Sequence, residues 1–345
     1  MRKRMHGVLS HRGRERDANH DGPWPLAEPF RIGRVEIANR VVQAPLAGIA
    51  NWAYRRQSRR HGAGATVSEM IASQGLVHGN RKTRDMLRVV DDESPVGIQL
   101  FGADPGAMAQ AAVMAERAGA DFVDINMGCP VKKICSTGAG AALLAEPESG
   151  ARVVEAMVDA VTIPVTVKMR RGLTPQTSDP VTAARRFEDA GAAAICFHPR
   201  AAAEQYDGLS DHAITAEVVS AVGVPVIASG DINDPATALE VVRDTGCAAV
   251  AVGRGALGNP WLFRALVTGR TSRPSGDRIV DELERFADDA RAALGERRAC
   301  PYLRKFYPWY LAPTDITKAQ LQTMLTAPTV DDALAVVRGV VASAA

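Results

Sequence analysis

A repeat of form constrains this chain more than any single motif. From Pro29 onward, short continuous apolar runs alternate with Ala-rich amphipathic runs, and the pair recurs roughly every thirty residues. The apolar runs are RVVQAPLAG, GATVSEMI, VGIQLFG, DFVDINMGC, IPVTVKMR, AAICFHPR, VPVIASGD and AVAVGRGAL. They are β-branched and apolar almost throughout, as a strand buried on both faces must be. Between them lie helix patterns such as DPGAMAQAAVMAERAGA, EPESGARVVEAMVDAV, DPVTAARRFEDAGA and DPATALEVVRDTGC. Most open on Asp-Pro, a capping side chain followed by a residue with no N–H to satisfy. Eight such units imply an α/β fold, the (β/α)8 TIM barrel. An open doubly wound sheet is the alternative. The count of eight and the Gly-Arg-Gly turn closing the series favour the barrel.

The chain has 345 residues, enough for a barrel and an appendage. Residues 1–24 read as a charged, disordered basic tail, 25–272 as the barrel and 273–345 as a helical domain without strands. FRIG and RVEIAN, ahead of the first strand, look like a hairpin. Aromatics are only 5%, so Ala, Val, Ile and Leu must build the core. The net charge of +2 does not advertise a nucleic-acid binder, although a local basic face fits inside it. The basic N-terminus never reaches an apolar stretch of signal-peptide length, and no apolar run is long enough to span a membrane. Five cysteines form no C-x-x-C pair, so reduced thiols in a cytoplasmic protein and no metal site are expected. No obligate protein partner is evident.

In a TIM barrel the chemistry lies at the C-terminal strand ends. Those ends hold Pro45, Leu46 and Ala47; Ser68 and Glu69; Gln99; Asn126 and Cys129; Lys168 and Arg170; His198 and Arg200; Ser229, Gly230 and Asp231; Gly253 and Arg254. The last two turns are where barrels bind phosphate. Small residues there, with Arg254, Lys168 and His198 beside them, point to a phosphorylated cofactor or substrate. Gln99, Asn126 and Lys168 line the mouth with amide and ammonium groups, which suit a flat heterocycle with imide-like edges. Cys129 follows Asn126 on a mouth-facing loop turned by Gly128 and Pro130. An ordinary thiol is mostly protonated at neutral pH and can give up a proton without special tuning. Cys196 and Cys247 sit in strand-like runs and read as structural; nothing marks Cys135 beyond its nearness to Cys129.

These residues resemble the bacterial tRNA-dihydrouridine synthase family. APLAGIANWAYR is similar to the family's first motif, and SEMI, GIQLFG, DINMGCPVKK with GAGAALL, VTVKMR, FHPR, ASGDI and VGRGALGNPWLF follow in the family's order. The resemblance implies FMN at the barrel mouth, NADPH as reductant and tRNA as substrate. It implies that hydride passes from the flavin to C6 of a uracil while Cys129 protonates C5. Pro45, Leu46 and Ala47 would face the flavin ring, and Gln99 and Lys168 its polar edge. His198, Ser229, Gly230, Asp231, Gly253 and Arg254 would hold its phosphate. Asn126 and Arg170 would meet the substrate, with Lys132, Lys133 and Arg171 nearby. The helical domain, where Arg298, Arg304 and Lys305 cluster, would bind tRNA.

The chain departs from the family's pattern in places. Ser229 stands for Asn, Ala201-Ala202 for Thr-Arg, Ala50-Asn51 for Thr-Asp, and Phe306 for His. Two other readings use the same residues. One is an FMN oxidoreductase on a free pyrimidine, of dihydroorotate type. The other is a flavin-bearing RNA-binding protein without turnover.

Overall fold

The computed structural model describes residues 24–177, 179–312, 314 and 316–342. Its strands are β1 (Phe30–Ile32), β2 (Val35–Ile37), β3 (Val41–Gln43), β4 (Ala65–Val67), β5 (Ile71–Ala72), β6 (Val96–Phe101), β7 (Phe122–Met127), β8 (Val165–Arg170), β9 (Ala194–His198), β10 (Val226–Ser229) and β11 (Ala249–Val252). All but the β1–β2 hairpin form one parallel sheet, ordered β4-β3-β11-β10-β9-β8-β7-β6-β5. β4 also pairs with β6, which closes eight strands into a barrel. The (β/α)8 expectation is met.

The Asp-Pro starts act as expected. Asp104, Asp179 and Asp234 accept from the backbone N–H groups of Ala107, Thr182 and Thr237 at 2.6, 2.9 and 2.8 Å. Each satisfies a donor that the first helical turn leaves orphaned. The GATVSEMI run departs from a single strand. It breaks after Val67, and β5 pairs with the far end of β6 (Ile71↔Leu100, Ala72↔Phe101). Ser68, freed at the break, accepts from the Gln99 N–H at 2.9 Å.

The hairpin plugs the bottom of the barrel. Ile32 and Ile37 are buried with Val42, Ala65, Phe122 and Ala249 in one apolar cluster. Phe122 presses on Gly97, where any Cβ would collide with its ring. Above this plug the lumen narrows to a cavity of about 20 Å³ walled by Val67, Asp124, Thr166, Lys168, Cys196 and Ala251. Trp24 is tied to the barrel's last helix, its indole N–H donating to the Leu266 carbonyl at 2.6 Å. Of the tail expected over residues 1–24, residues 1–23 lie outside the described residues.

Beyond the barrel come helices Gly276–Leu294, Glu296–Leu303, Tyr307–Tyr310, Lys318–Thr326 and Val330–Ala342. They share a core with the barrel. Trp52, Ala53 and Tyr54 of helix Trp52–Arg60 are buried with Phe286, Tyr302, Phe306 and Tyr310. A polar seam flanks this core. Gln57 donates to Glu282 and to the Tyr310 hydroxyl, both at 2.7 Å, and Arg56 and Arg60 reach Asp289 at 2.9 and 2.6 Å. Asn51, one departure from the family pattern, caps this helix by accepting from Ala53 and Tyr54. Among the described residues no helix is long and apolar enough to cross a membrane.

Phe306, another departure, sits fully buried with ring centroids 4.9 Å from Phe286 and 5.1 Å from Tyr302. Phe306→Ala is expected to lower stability by about 3–5 kcal/mol through cavity formation. Urea unfolding checks this; a loss near zero would mean the helical unit is not welded through this ring.

Candidate active site

Strand alternation sends every second side chain into the barrel. Register then sets them in layers. Gln99, Asp124 and Thr166 lie level on β6, β7 and β8. Asn126 and Lys168 form the next layer, and Arg170 and His198 the one above it.

The lower layers carry a continuous hydrogen-bond chain. Thr166 Oγ1 and Gln99 Nε2 each donate to Asp124 at 2.7 Å. Asn126 Nδ2 donates to Gln99 Oε1 at 2.9 Å, and Asn126 Oδ1 accepts from the N–H groups of Gly128 and Cys129 at 3.2 and 2.9 Å. Burial pushes the Asp124 carboxyl up to about 6, opposed by Thr166, Gln99 and the Lys168 charge. Sequence reasoning missed Asp124. Its signal was present, since it precedes Asn126 by two positions on a strand and must face inward with it.

Cys129 sits at the end of this chain, half-buried. Its carbonyl accepts from the Ala141 N–H at 3.1 Å and the Cys135 thiol at 3.3 Å. Burial raises the Cys129 thiol above its ordinary value, so it stays protonated at neutral pH. Cys135 thus touches the same turn. Cys196 lines the lumen, its thiol pushed up to about 11 by burial.

The upper layer gathers cations. Burial first, then Lys168, Arg170, Arg200 and Arg254, push His198 down to about 2. Arg200 can only donate, and its Nη1 lies 3.3 Å from His198 Nε2, which leaves the proton of this neutral ring on Nδ1. Arg200 is itself neutralised by Asp231, with Nη1–Oδ1 at 3.1 Å and Nη2–Oδ2 at 2.6 Å. Asp231 also accepts from the Ser210 N–H at 2.8 Å and adopts a left-handed φ of 55°. Its carboxylate therefore holds Arg200. Gly230 is required beside it: φ is 122°, and a Cβ would strike the Ser210 hydroxyl and the His198 ring.

Among the described residues, Lys168, Arg170 and Arg254 have no carboxylate within ion-pair distance. Arg170 donates to the Ala201 carbonyl at 3.0 Å. Tyr206, a residue the sequence reading passed over, lies under both arginines, 3.9 Å from the Arg254 guanidinium and 5.3 Å from that of Arg170. It and Val131 are each 52% exposed and Leu209 is 85% exposed, so the loops after β7 and β9 carry an apolar rim. Ser229 ends β10, and Gly253 directly follows β11.

On the opposite wall, Pro45, Leu46 and Ala47 form the turn after β3. The helical unit clasps this turn. Lys305 Nζ donates to the Gly48 carbonyl at 2.9 Å, and the Tyr302 hydroxyl to that of Ile49 at 2.8 Å. The Glu69 carboxylate accepts from the Gly48 N–H at 2.7 Å. Of the residues expected to form a basic cluster, Arg304 donates to the Ala327 carbonyl at 2.8 Å and Arg298 to the Leu294 carbonyl at 2.9 Å, while Lys305 reaches Gly48.

The barrel is similar in fold to solved structures of low sequence identity. It is similar to a morphinone reductase complex with tetrahydroNAD (TM-score 0.55, 16% identity, 73% of this chain and 93% of that one). It is also similar to a 2-naphthoyl-CoA reductase complex (TM-score 0.56, 12% identity, 71% and 52%). At these identities the likeness is one of fold. The dihydrouridine synthase family (Dus) matches residues 42–337, and the chain belongs to it. Relatives named tRNA-dihydrouridine synthase B include one from Xanthomonas axonopodis pv. citri, 37% identical over 81% of this chain and 86% of the relative. Another, from Pseudomonas aeruginosa, is 38% identical over 82% and 86%.

The buried His198 yields a test. Its folded-state pKa lies far below the ordinary 6.5, so the unfolded chain binds the extra proton. Its contribution is full above pH 6.5 and is lost as pH falls below that value, by up to ~1.4 kcal/mol per unit. Flavin-free protein compared by urea unfolding at pH 7.5 and 5.5 should lose about 1 kcal/mol more than His198→Asn does. Equal losses would show that the imidazole already binds a proton when folded.

Proposed function

We propose that this chain is a tRNA-dihydrouridine synthase that reduces uridine to 5,6-dihydrouridine in tRNA, with FMN as its flavin and NADPH as reductant. The observation that carries this reading is the Cys129 thiol, set on the turn that Asn126 Oδ1 holds and facing the charge of Arg170, at a mouth where, among the described residues, Lys168, Arg170 and Arg254 have no carboxylate within ion-pair distance.

The residues present fit FMN. Arg254 leaves positive charge at the end of β11, where a phosphate monoester would neutralise it. His198 adds a neutral donor, and Ser229, Gly230 and Gly253 allow close backbone approach. Asp231 would act there through Arg200. Pro45, Leu46 and Ala47 offer an apolar wall for the ring, with Lys168 and Gln99 toward its polar edge. The run from Gly253 to Gly258 has dinucleotide-like glycine spacing, but Gly258 is used for packing: a Cβ there would strike Trp309 and the Tyr310 backbone.

When bound and reduced, FMN supplies hydride for C6 of the uracil. Cys129 delivers the proton to C5, so the C5–C6 double bond becomes single and the thiolate regains a proton from solvent. Arg170 and the second N–H of Asn126, which now faces Met70 Sδ at 3.6 Å, orient the base. A uracil reaches this depth only by leaving the RNA stack. Tyr206 and the exposed Lys132 and Lys133 face the strand that delivers it, with the helical unit (273–345) as a further tRNA-binding surface. Five unpaired thiols accord with a reducing, cytoplasmic setting.

Purified protein should be yellow and release FMN on denaturation. Cys129→Ala should leave flavin reduction by NADPH intact and slow reoxidation by unmodified tRNA by ~10²–10⁴-fold. Cys135→Ala should change either step little, because the Ala141 N–H still holds the Cys129 carbonyl. Stopped-flow absorbance of the flavin reads both steps. Wild-type reoxidation in Cys129→Ala would remove the thiol from the reaction.

A further inference from the structure

Asp124 touches neither the mouth nor the proposed substrate, yet it decides which way the buried hydrogen-bond chain runs. An ionised carboxylate can only accept. Gln99 must therefore present Nε2 to it, which turns Oε1 toward Asn126. Asn126 must then present Nδ2 to Gln99, which turns Oδ1 toward the backbone N–H groups of Gly128 and Cys129. Those backbone groups can only donate, so the chain has one workable direction, and Asp124 sets it from the far end. Were Gln99 reversed, Asn126 would offer an N–H to two N–H groups, and the turn carrying Cys129 would lose its acceptor.

We propose that Asp124 is a positioning residue: its carboxylate aligns the amides of Gln99 and Asn126 and so holds the Cys129 turn. Its role in turnover rests on the proposed reaction. Its role in ordering the turn does not.

Three full-length proteins separate the possibilities. Asp124→Asn can keep a carbonyl toward Gln99 and offer its NH2 to Thr166, whose hydroxyl has a second acceptor in the Val123 carbonyl at 3.5 Å. Asp124→Leu fills similar space but offers no acceptor. Hydrogen–deuterium exchange of the peptide containing Gly128 and Cys129 should match wild type in Asp124→Asn and be ~10-fold faster in Asp124→Leu, the cost of an unmade buried hydrogen bond. Flavin reoxidation by tRNA should follow the same order, with reduction by NADPH reporting flavin loading separately. If Asp124→Leu does not fold, Gln99→Met severs the chain one link on and should give the same loss of protection. Equal exchange in all the folded variants overturns the proposal. So does fast exchange in Asp124→Asn, which would mean that charge rather than acceptor direction matters. Failure of wild-type protein to be reoxidised by tRNA would refute the reaction and leave the exchange result standing.

Discussion

Two short register pairs, Thr66↔Val96 and Val67↔Gly97, join β4 to β6 and close the sheet. The site depends on that closure. Eight parallel strands then end around one opening, and residues scattered from Pro45 to Ala251 line a common lumen. The closure needs Gly97, because Phe122 fills the bottom of the barrel directly against it. The same packing supports the polar layers above, so the apolar floor and the chemistry are consecutive storeys of one structure.

Those storeys have different electrostatic characters. The lower one is a buried chain of acceptors and donors ending on a carboxylate. The upper one is a cluster of cations around a His198 that burial first, and their charge second, keep neutral. Lys168 links them, lowering the pKa of both Asp124 and His198. Among the described residues, Arg200 alone in the upper cluster is paired with a carboxylate, Asp231, and the remaining positive charge marks where an anion would lower the energy of the folded state.

The helical unit is part of this site. Tyr302 and Lys305 hold the Ile49 and Gly48 carbonyls on the turn that walls the mouth, while Phe306, Tyr54 and Phe286 interlock beneath them. The helical unit is thereby joined to the turn at the barrel mouth through two hydrogen bonds and a common core.

The sequence by itself determined the barrel, the Asp-Pro helix starts, the strand-end residues and the position of Cys129. Each is written in local periodicity or in a residue's own chemistry, and barrel strands repeat both without long-range information. Only the tertiary structure decided the partnerships. Asp231 holds Arg200 at the strand end, Arg304 faces inward, and Lys305 clasps Gly48 across most of the chain's length. Tyr206 lies under Arg170 and Arg254 because its loop folds back over the mouth. Asp124 lies between these two kinds of information. Its inward direction was legible from the alternation around Asn126, but its task was not. A hydrogen-bond chain has a direction only once β6, β7 and β8 are in register, and register is set by closure of the barrel.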